Sequence, residues 1–414
     1  MVISKKHASS SVVEHPQSVV SIGLIGNVDH GKTTLLERLT GVWADTHSEE
    51  KKRGITIKLG YADITIYQCP DHRYNSKHCC DKAVAQRSVS FVDAPGHETL
   101  MATMLSGAAI MDSALLLVAA NEECPQPQTR EHLMALQLIG IKTIIIIQNK
   151  IDSVPKDEVL KNYQQIKAFV KGTIAEHAPI IPVSAIHRIN LHYIYEAIQE
   201  LVATPQRDQT KTPLFFVARS FDVNKPGTPI KGLTGGVFGG SLKQGLLHAN
   251  DAVEIAPGHL ISERGVERWI PFSTKILSMR TARSEITEAH PGGSIALAST
   301  LDPAVIKSDQ LAGAVVGLPG KLPPVWTELT FEPLLLQRVV GSKEELNVEH
   351  IKKGEPLMLN VNAATTAGIV TSLEKKKITI KIKRPVCANE GDTIAISRRI
   401  GNRWRLIGTA KVSK

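Results

Sequence analysis

Residues 26–33 read Gly-Asn-Val-Asp-His-Gly-Lys-Thr, a Gly-x-x-x-x-Gly-Lys-Thr spacing that gathers two glycines, an ammonium and a hydroxyl around one polyphosphate. Gly26 and Gly31 let the backbone approach phosphate oxygens with no Cβ in the way, and successive N–H groups turn inward as an anion nest. Asp29, His30, Gly31, Lys32, Thr33 and Thr34 are therefore the first nucleotide-binding candidates. Lys32 reaches the β- and γ-phosphates, the Thr33 hydroxyl is a Mg²⁺ ligand, and the following helix adds the partial positive charge of its N-terminus.

Three further signals follow in order. Asp93-Ala94-Pro95-Gly96-His97 sets Asp93 where it can hold a water of the Mg²⁺ shell, and Gly96 where its N–H can meet a γ-phosphate. Asn149-Lys150-Ile151-Asp152 is a base-reading signal. The Asp152 carboxylate accepts from N1–H and the 2-amino group of guanine, donors that adenine lacks, so ATP would leave a buried carboxylate unpaired. Ser184-Ala185-Ile186 completes the base pocket with a backbone N–H. Together the four signals imply a guanine-nucleotide switch using GTP or GDP and Mg²⁺.

The elements that must hold these residues are legible around them. The apolar runs Val19 to Ile25, Val89 to Val92, Ile144 to Ile147 and Ile180 to Val183 suit buried strands, each ending at one signal. Between them, helices are expected from Thr34, around Gly107, over Gln128 to Ile139, Asp157 to Val170 and Leu191 to Leu201. Such alternation predicts a parallel sheet covered on both faces, with ligand loops at the carboxyl ends of its strands. The polar, proline-bearing segment 204–213 marks a boundary. Beyond it helix patterns fade, and short apolar stretches alternate with Gly and Pro clusters, as in 235–258; a second break falls at 320–324. The expected fold class is an α/β P-loop GTPase domain followed by two all-β barrel domains. The expected limits are a tail over 1–18, a GTP-binding domain over 19–207, and barrels over 208–324 and 325–414.

Bulk properties agree. With 414 residues the chain exceeds one ordinary core. No uninterrupted apolar stretch is long enough to span a bilayer, and residues 1–18 lack an apolar signal core, so a cytoplasmic protein with no membrane partner is expected. Five cysteines form no secreted disulfide framework, which fits a reducing compartment. The net charge of +9 is uneven: residues 1–207 carry 21 basic and 21 acidic side chains, 208–324 carry 12 and 10, and 325–414 carry 16 and 9. A basic C-terminal end calls for an acidic partner such as RNA. Along 377–383, Ile378, Ile380 and Ile382 should face a core while Lys377, Lys381 and Lys383 line the other side; a merely solvated face explains those lysines as well. Aromatics at 4 % favour backbone contact over base stacking.

Arg53-Gly54-Ile55-Thr56-Ile57, Val28-Asp29-His30-Gly31-Lys32 and Pro95-Gly96-His97 resemble the translational GTPases. That resemblance implies that Thr56 closes over Mg²⁺ when a γ-phosphate is present, and that His97 is the catalytic residue, orienting the attacking water. More narrowly, 48–53, 58–62, Met101 to Gly107, 120–132, Arg219 to Gly227, Ser397 to Arg399 and Arg403-Trp404-Arg405 resemble the gamma subunit of archaeal and eukaryotic translation initiation factor 2, from about Val19 onward. The lack of a long N-terminal extension favours the archaeal type. The resemblance implies GTP-dependent carriage of methionylated initiator tRNA to the small ribosomal subunit, in a heterotrimer with alpha and beta subunits. It also implies that Asp29 and the Gly54 carbonyl help hold a second Mg²⁺, against the plainer reading of Asp29 as a loop-stabilising carboxylate. Family members often carry two Cys-x-x-Cys pairs before the Asp93 strand. Here the set is Cys69, His72, His78, Cys79 and Cys80, and adjacent Cys79 and Cys80 fit one tetrahedral zinc poorly. A metal-free or weak-metal loop is favoured, with a Cys-His-His-Cys zinc site as its alternative. The rivals are an elongation-type or selenocysteine-specific carrier, and a GTP-gated scaffold with negligible intrinsic turnover.

Overall fold

The computed structural model describes residues 17–43, 56, 58–76, 82–97, 100–224, 227, 229, 235–263, 266–282, 284–337, 339, 347–401 and 403–413. Gly54, His78, Cys79 and Cys80, with most of the expected tail, lie outside the described residues.

Among the described residues the first sheet contains β1 (Val20–Gly26), β2 (Gly60–Gln68), β3 (Tyr74–Asn75), β4 (Val84–Asp93), β5 (Ser113–Ala119), β6 (Thr143–Asn149) and β7 (Ile180–Pro182), in the order β3-β2-β4-β1-β5-β6-β7. Strands β4, β1, β5, β6 and β7 are mutually parallel. The expectation of a wholly parallel sheet is corrected at one edge: β2 runs antiparallel to β4, and β3 antiparallel to β2. No helix is found among the described residues between β2 and β4, and without a crossover helix the chain returns as a hairpin rather than a βαβ unit.

Helices α1 (Lys32–Thr40), α2 (Met101–Ala108), α3 (Pro127–Ile139), α4 (Lys156–Val170) and α5 (Leu191–Leu201) match the expected positions. They cover both faces. Val20, Ile22 and Leu24 pack with Leu35, Leu36 and Leu39 of α1 and Ile194 and Ile198 of α5. Ile25, Leu116 and Ile146 pack with Met104 and Leu105 of α2, Leu136 of α3 and Ile166 of α4. Strand β1 is buried along its whole length, as a strand flanked by parallel neighbours and helices must be.

The second sheet is all antiparallel. Strands β8 (Leu214–Phe221), β9 (Val237–Gln244), β11 (Ala252–Glu263), β12 (Val266–Arg280), β13 (Glu285–Ile286), β15 (Ile295–Ser299) and β16 (Val315–Gly317) lie in the order β11-β16-β8-β9-β15-β12-β13, and β11 also pairs with β12. That last pairing closes the sheet into a barrel, leaving the two-residue β13 as a short flank on β12. A small ribbon of β10 (Leu247–His248) and β14 (Glu288–Ala289) flanks it, and a single helical turn, α6 (Pro303–Ile306), precedes β16. The third sheet joins β17 (Val325–Phe331), β18 (Leu334–Leu335), β19 (Pro356–Val361), β20 (Ala364–Glu374), β21 (Lys377–Cys387), β22 (Thr393–Ile400) and β23 (Arg403–Lys411) in the order β17-β21-β20-β19-β22-β23-β18. A bridge between Thr330 and Ser413 draws its first strand toward its last residues. Ile378, Ile380 and Ile382 are buried in this core while Lys377, Lys381 and Lys383 are exposed, the alternation read from the sequence.

Polar ties hold the domain boundary and the second barrel to the nucleotide domain. The Arg207 guanidinium grips both oxygens of Asp112 at 2.6 and 2.7 Å and donates to the Val19 carbonyl. On the second barrel, Asn360 donates to the Ala102 carbonyl at 3.0 Å and to Ser106 at 3.1 Å, and Arg405 meets Glu131 of α3 at 2.7 Å. Gln17 and Ser18 belong to the folded body rather than to the expected tail. Both are buried, and the Gln17 side chain donates to the His290 and Gly292 carbonyls and accepts from the His290 N–H.

Candidate nucleotide-binding site

Four loops meet at the carboxyl edge of the parallel strands, where an open α/β sheet places its ligands. The first follows β1. Gly31 has φ 86 and caps α1, and a Cβ there would lie 2.5 Å from Asn149 Nδ2, so the loop closes only around glycine. Asp29 is also left-handed, with φ 61, and its side chain is exposed. The first turn of α1 holds no acidic residue, which leaves its positive end uncompensated for an anion. Lys32 is 6 % exposed, its ammonium donating to the Gly26 and Asn27 carbonyls at 3.0 and 2.8 Å. A lysine tethered to its own loop is held where a phosphate would take over those contacts.

The second loop leaves β4. Asp93 is fully buried, and its Oδ2 accepts from the Thr33 hydroxyl at 2.7 Å; Thr33 Oγ1 is in turn 3.1 Å from Thr56 Oγ1. Two hydroxyls and a carboxylate, 23 to 60 residues apart in the chain, thus converge on one spot. All are hard oxygen donors, the set that suits Mg²⁺. Gly96 presses against the phosphate loop: a Cβ on it would stand 2.5 Å from Lys32 Nζ and 2.6 Å from the Gly26 carbonyl. Close packing of this loop against the phosphate cradle therefore requires glycine, and half-buried His97 stands beside it.

The base-reading loops follow β6 and β7. Asn149 ties three segments together, its amide donating to the His30 carbonyl at 2.9 Å and its oxygen accepting from the Ala185 N–H at 3.1 Å. Lys150 is left-handed with φ 63, turning the chain so that Asp152 emerges beside His187, 3.7 Å from its carboxylate. Ser184 is fully buried and its hydroxyl accepts from the His187 N–H, whereas the Ile186 side chain is 61 % exposed.

Other features were not readable from spacing. The His30 ring turns away from the loop: it is fully buried, with Nδ1 2.9 Å from the Leu117 carbonyl and Nε2 3.3 Å from Glu122. Burial holds its pKa below the usual histidine value despite the Glu122 carboxylate, and only its backbone is left to serve the cradle. His132 of α3 is buried behind it with no hydrogen bond to either ring nitrogen. Burial, reinforced by the charges of Lys32 and His30, lowers its pKa to about 3.

At the degraded cysteine segment, Cys69 is 8 % exposed. His72 is left-handed with φ 65. No three His, Cys, Asp or Glu side chains gather as a metal site among the described residues. Cys124 and Cys387 are free and buried, and burial pushes each thiol up to about 12.

Comparison with known proteins gives this geometry its context. Residues 17–204 match the model of the elongation factor Tu GTP-binding domain, and residues 327–412 match the C-terminal domain of initiation factor eIF2 gamma. Translation initiation factor 2 subunit gamma of Methanocaldococcus jannaschii is 56 % identical over 397 residues, covering 95 % of this chain and 97 % of its own length. The subunit from Pyrococcus horikoshii is likewise 56 % identical with the same coverage. The chain belongs to the translation initiation factor 2 gamma family. It is a GTPase of the translational class, and guanine nucleotide is its ligand.

Solved structures extend the likeness of fold. A bacterial selenocysteine-specific elongation factor superposes with a TM-score of 0.73 at 24 % identity, covering 95 % of this chain and 58 % of the other. Translation elongation factor SelB of Methanococcus maripaludis, in complex with a GTP analogue, gives 0.70 at 19 %, with 97 % and 80 % covered. At such identities the architecture is shared, while the relatives of high identity are initiation factors, so the elongation-type reading is not favoured. No helix among the described residues is long and apolar enough to cross a membrane.

Proposed function

We propose that this chain carries methionylated initiator tRNA to the small ribosomal subunit while GTP is bound, and releases it after hydrolysis, working in the cytoplasm with alpha and beta partner subunits. The observation that carries the reading is a groove between the nucleotide sheet and the first barrel. It encloses about 460 Å³ and is lined by Trp43, Tyr61, Phe221 and Ala282, together with Arg219, Arg280 and Asp63. Trp43 and Phe221 remain 48 % and 39 % exposed. Apolar walls beside two guanidinium groups suit an uncharged thioether side chain esterified to a nucleotide, the first taking methionine and the second the phosphates. The groove lining starts at Val42, two residues after α1, and includes Leu59, next to Lys58, and Gly60 to Asp63 of β2.

In this reading residues 19–207 form the nucleotide unit, and 208–324 and 325–414 form the two barrels. Asp29, His30, Gly31, Lys32, Thr33 and Thr34 cradle phosphate, the first two through backbone N–H groups. Gly96 donates to the γ-phosphate; Asn149, Lys150, Asp152, Ser184, Ala185 and Ile186 frame guanine. Thr33 and Thr56, with Asp93 through a water, would hold Mg²⁺, and Asp29 with the Gly54 carbonyl a second ion. When bound, the ion would supply charge neutralisation for the polyphosphate. Phosphoryl transfer asks mainly for placement and charge stabilisation: Lys32 and the loop amides bind the terminal group, and His97 orients the attacking water. Binding assays with initiator and elongator methionyl-tRNA test the cargo. Preference for the initiator form is expected, and equal affinity for both would defeat the proposal.

A further inference from the structure

Thr56 and the groove are joined by a ring of polar contacts that nucleotide binding alone does not require. Two residues beyond Thr56, the Lys58 ammonium reaches Asp309 Oδ2 at 2.5 Å. The other carboxylate oxygen of Asp309 accepts from Arg219 Nε at 3.0 Å and from the Ser220 N–H at 2.9 Å. The Arg219 guanidinium then donates to the Leu59 carbonyl at 3.0 Å, returning to the segment where the ring began. Arg219 also lines the groove. One carboxylate therefore holds both the strand-entry segment of the nucleotide sheet and a guanidinium facing the proposed cargo.

The local backbone is unusual where Asp309 sits. Ser308 and Asp309 are consecutive left-handed residues, with φ of 58 and 62, and neither is glycine. Such strain persists only where the surroundings over-determine it, and here it aims the carboxylate at Lys58 and Arg219. Burial pushes the Asp309 carboxyl up, but Lys58, the Ser220 N–H and Arg219 outweigh it and hold the group below the usual carboxylate range. It stays an anion at neutral pH. Tyr61, which also lines the groove, has a buried hydroxyl without a hydrogen-bond partner.

We propose that Asp309 is the positioning residue that couples the γ-phosphate to the cargo groove, by fixing Arg219 only while Thr56, Lys58 and Leu59 are drawn onto the nucleotide. When Thr56 leaves, Lys58 and Leu59 move with it, so Arg219 loses the Leu59 carbonyl, and Asp309, which holds Arg219, loses Lys58. This inference rests on the cargo reading above and names its regulation.

The test uses the full chain, with affinity for methionylated initiator tRNA measured under a non-hydrolysable GTP analogue and under GDP. The readout is the ratio of the two affinities. Asp309→Asn and Lys58→Gln should each shrink that ratio by about fivefold or more, the usual scale of a coupling between sites. Affinity for the GTP analogue should stay within about twofold, because neither side chain touches the nucleotide site. The double variant should lose no more than the worse single one, the mark of one shared interaction, and Lys58→Arg should restore the ratio. If Asp309→Asn fails to fold, Lys58→Gln carries the test alone, its side chain being 28 % exposed. A wild-type preference that both variants retain within twofold overturns the coupling and leaves the cargo reading intact. A wild-type ratio of one overturns the cargo reading and the coupling with it.

Discussion

Removing the guanidinium of Arg405 should destabilise the protein out of proportion to the size of one surface contact. Arg405 on β23 and Glu131 on α3 are 7 % and 0 % exposed at the side chain and meet at 2.7 Å, joining the second barrel to the helix that backs the phosphate loop. Two ions so far from water gain little over a well-packed apolar pair, yet a buried charge stripped of its partner is expensive, costing about 3–5 kcal/mol. Arg405→Met keeps most of the volume and deletes the charge, so this range is the expected loss near neutral pH. Without the Arg405 guanidinium, Glu131 can limit the cost by taking up a proton. The variant's deficit should then narrow as pH falls toward 5, by at most about 1.4 kcal/mol per unit. Glu131→Gln in the same chain should recover a large part of the loss. Urea unfolding of the GDP-saturated protein, followed by tryptophan fluorescence, reads all three chains. A loss below about 1 kcal/mol for the single variant, or a double variant no better than it, would refute the argument that this pair is a desolvated clasp.

Other consequences follow from the site. Asp152→Asn exchanges an acceptor for a donor and should turn preference from guanine toward xanthine nucleotides, by about 1000-fold in the affinity ratio; retained guanine selectivity in a competition assay would exclude Asp152 as the base reader. His97→Ala should slow single-turnover GTP hydrolysis by about 100-fold or more with nearly unchanged GTP affinity, and unaltered turnover would remove it from the mechanism. His132, with a native pKa near 3 against about 6.5 when unfolded, binds a proton only after unfolding across that interval. Stability from this residue is thus present above pH 6.5 and declines as pH falls toward 3. His132→Gln should flatten the fall between pH 6.5 and 5 in denaturation curves, and an equally steep profile would contradict the assignment.

What could be read beforehand was local. The phosphate loop, Asp93, Asn149 and Ser184 each end a buried run, so spacing alone places them at one edge of a sheet. The same holds for Ile378, Ile380 and Ile382, whose period of two needs no tertiary knowledge. The antiparallel edge was missed because a β-rich hairpin between Gly60 and Asp93 gives no periodic signal of strand direction. Glu131 and Arg405 both lie in runs that resemble the family, but their pairing spans 274 positions and depends on how a barrel docks. Asp309 gave no signal at all: its left-handed backbone is imposed by packing, and Ile306-Lys307-Ser308-Asp309 reads as an ordinary polar turn. The buried His30 ring likewise could not be told from a ligand, since its partners Leu117 and Glu122 come from another strand and loop.

In the proposed cycle the terminal phosphate of GTP governs the groove between the nucleotide sheet and the first barrel. Equilibrium binding of methionylated initiator tRNA to the wild-type chain, under a GTP analogue and under GDP at several salt concentrations, tests it most directly. Binding at least about tenfold tighter with the analogue at every salt concentration is the predicted result. Equal affinity with both nucleotides would contradict it.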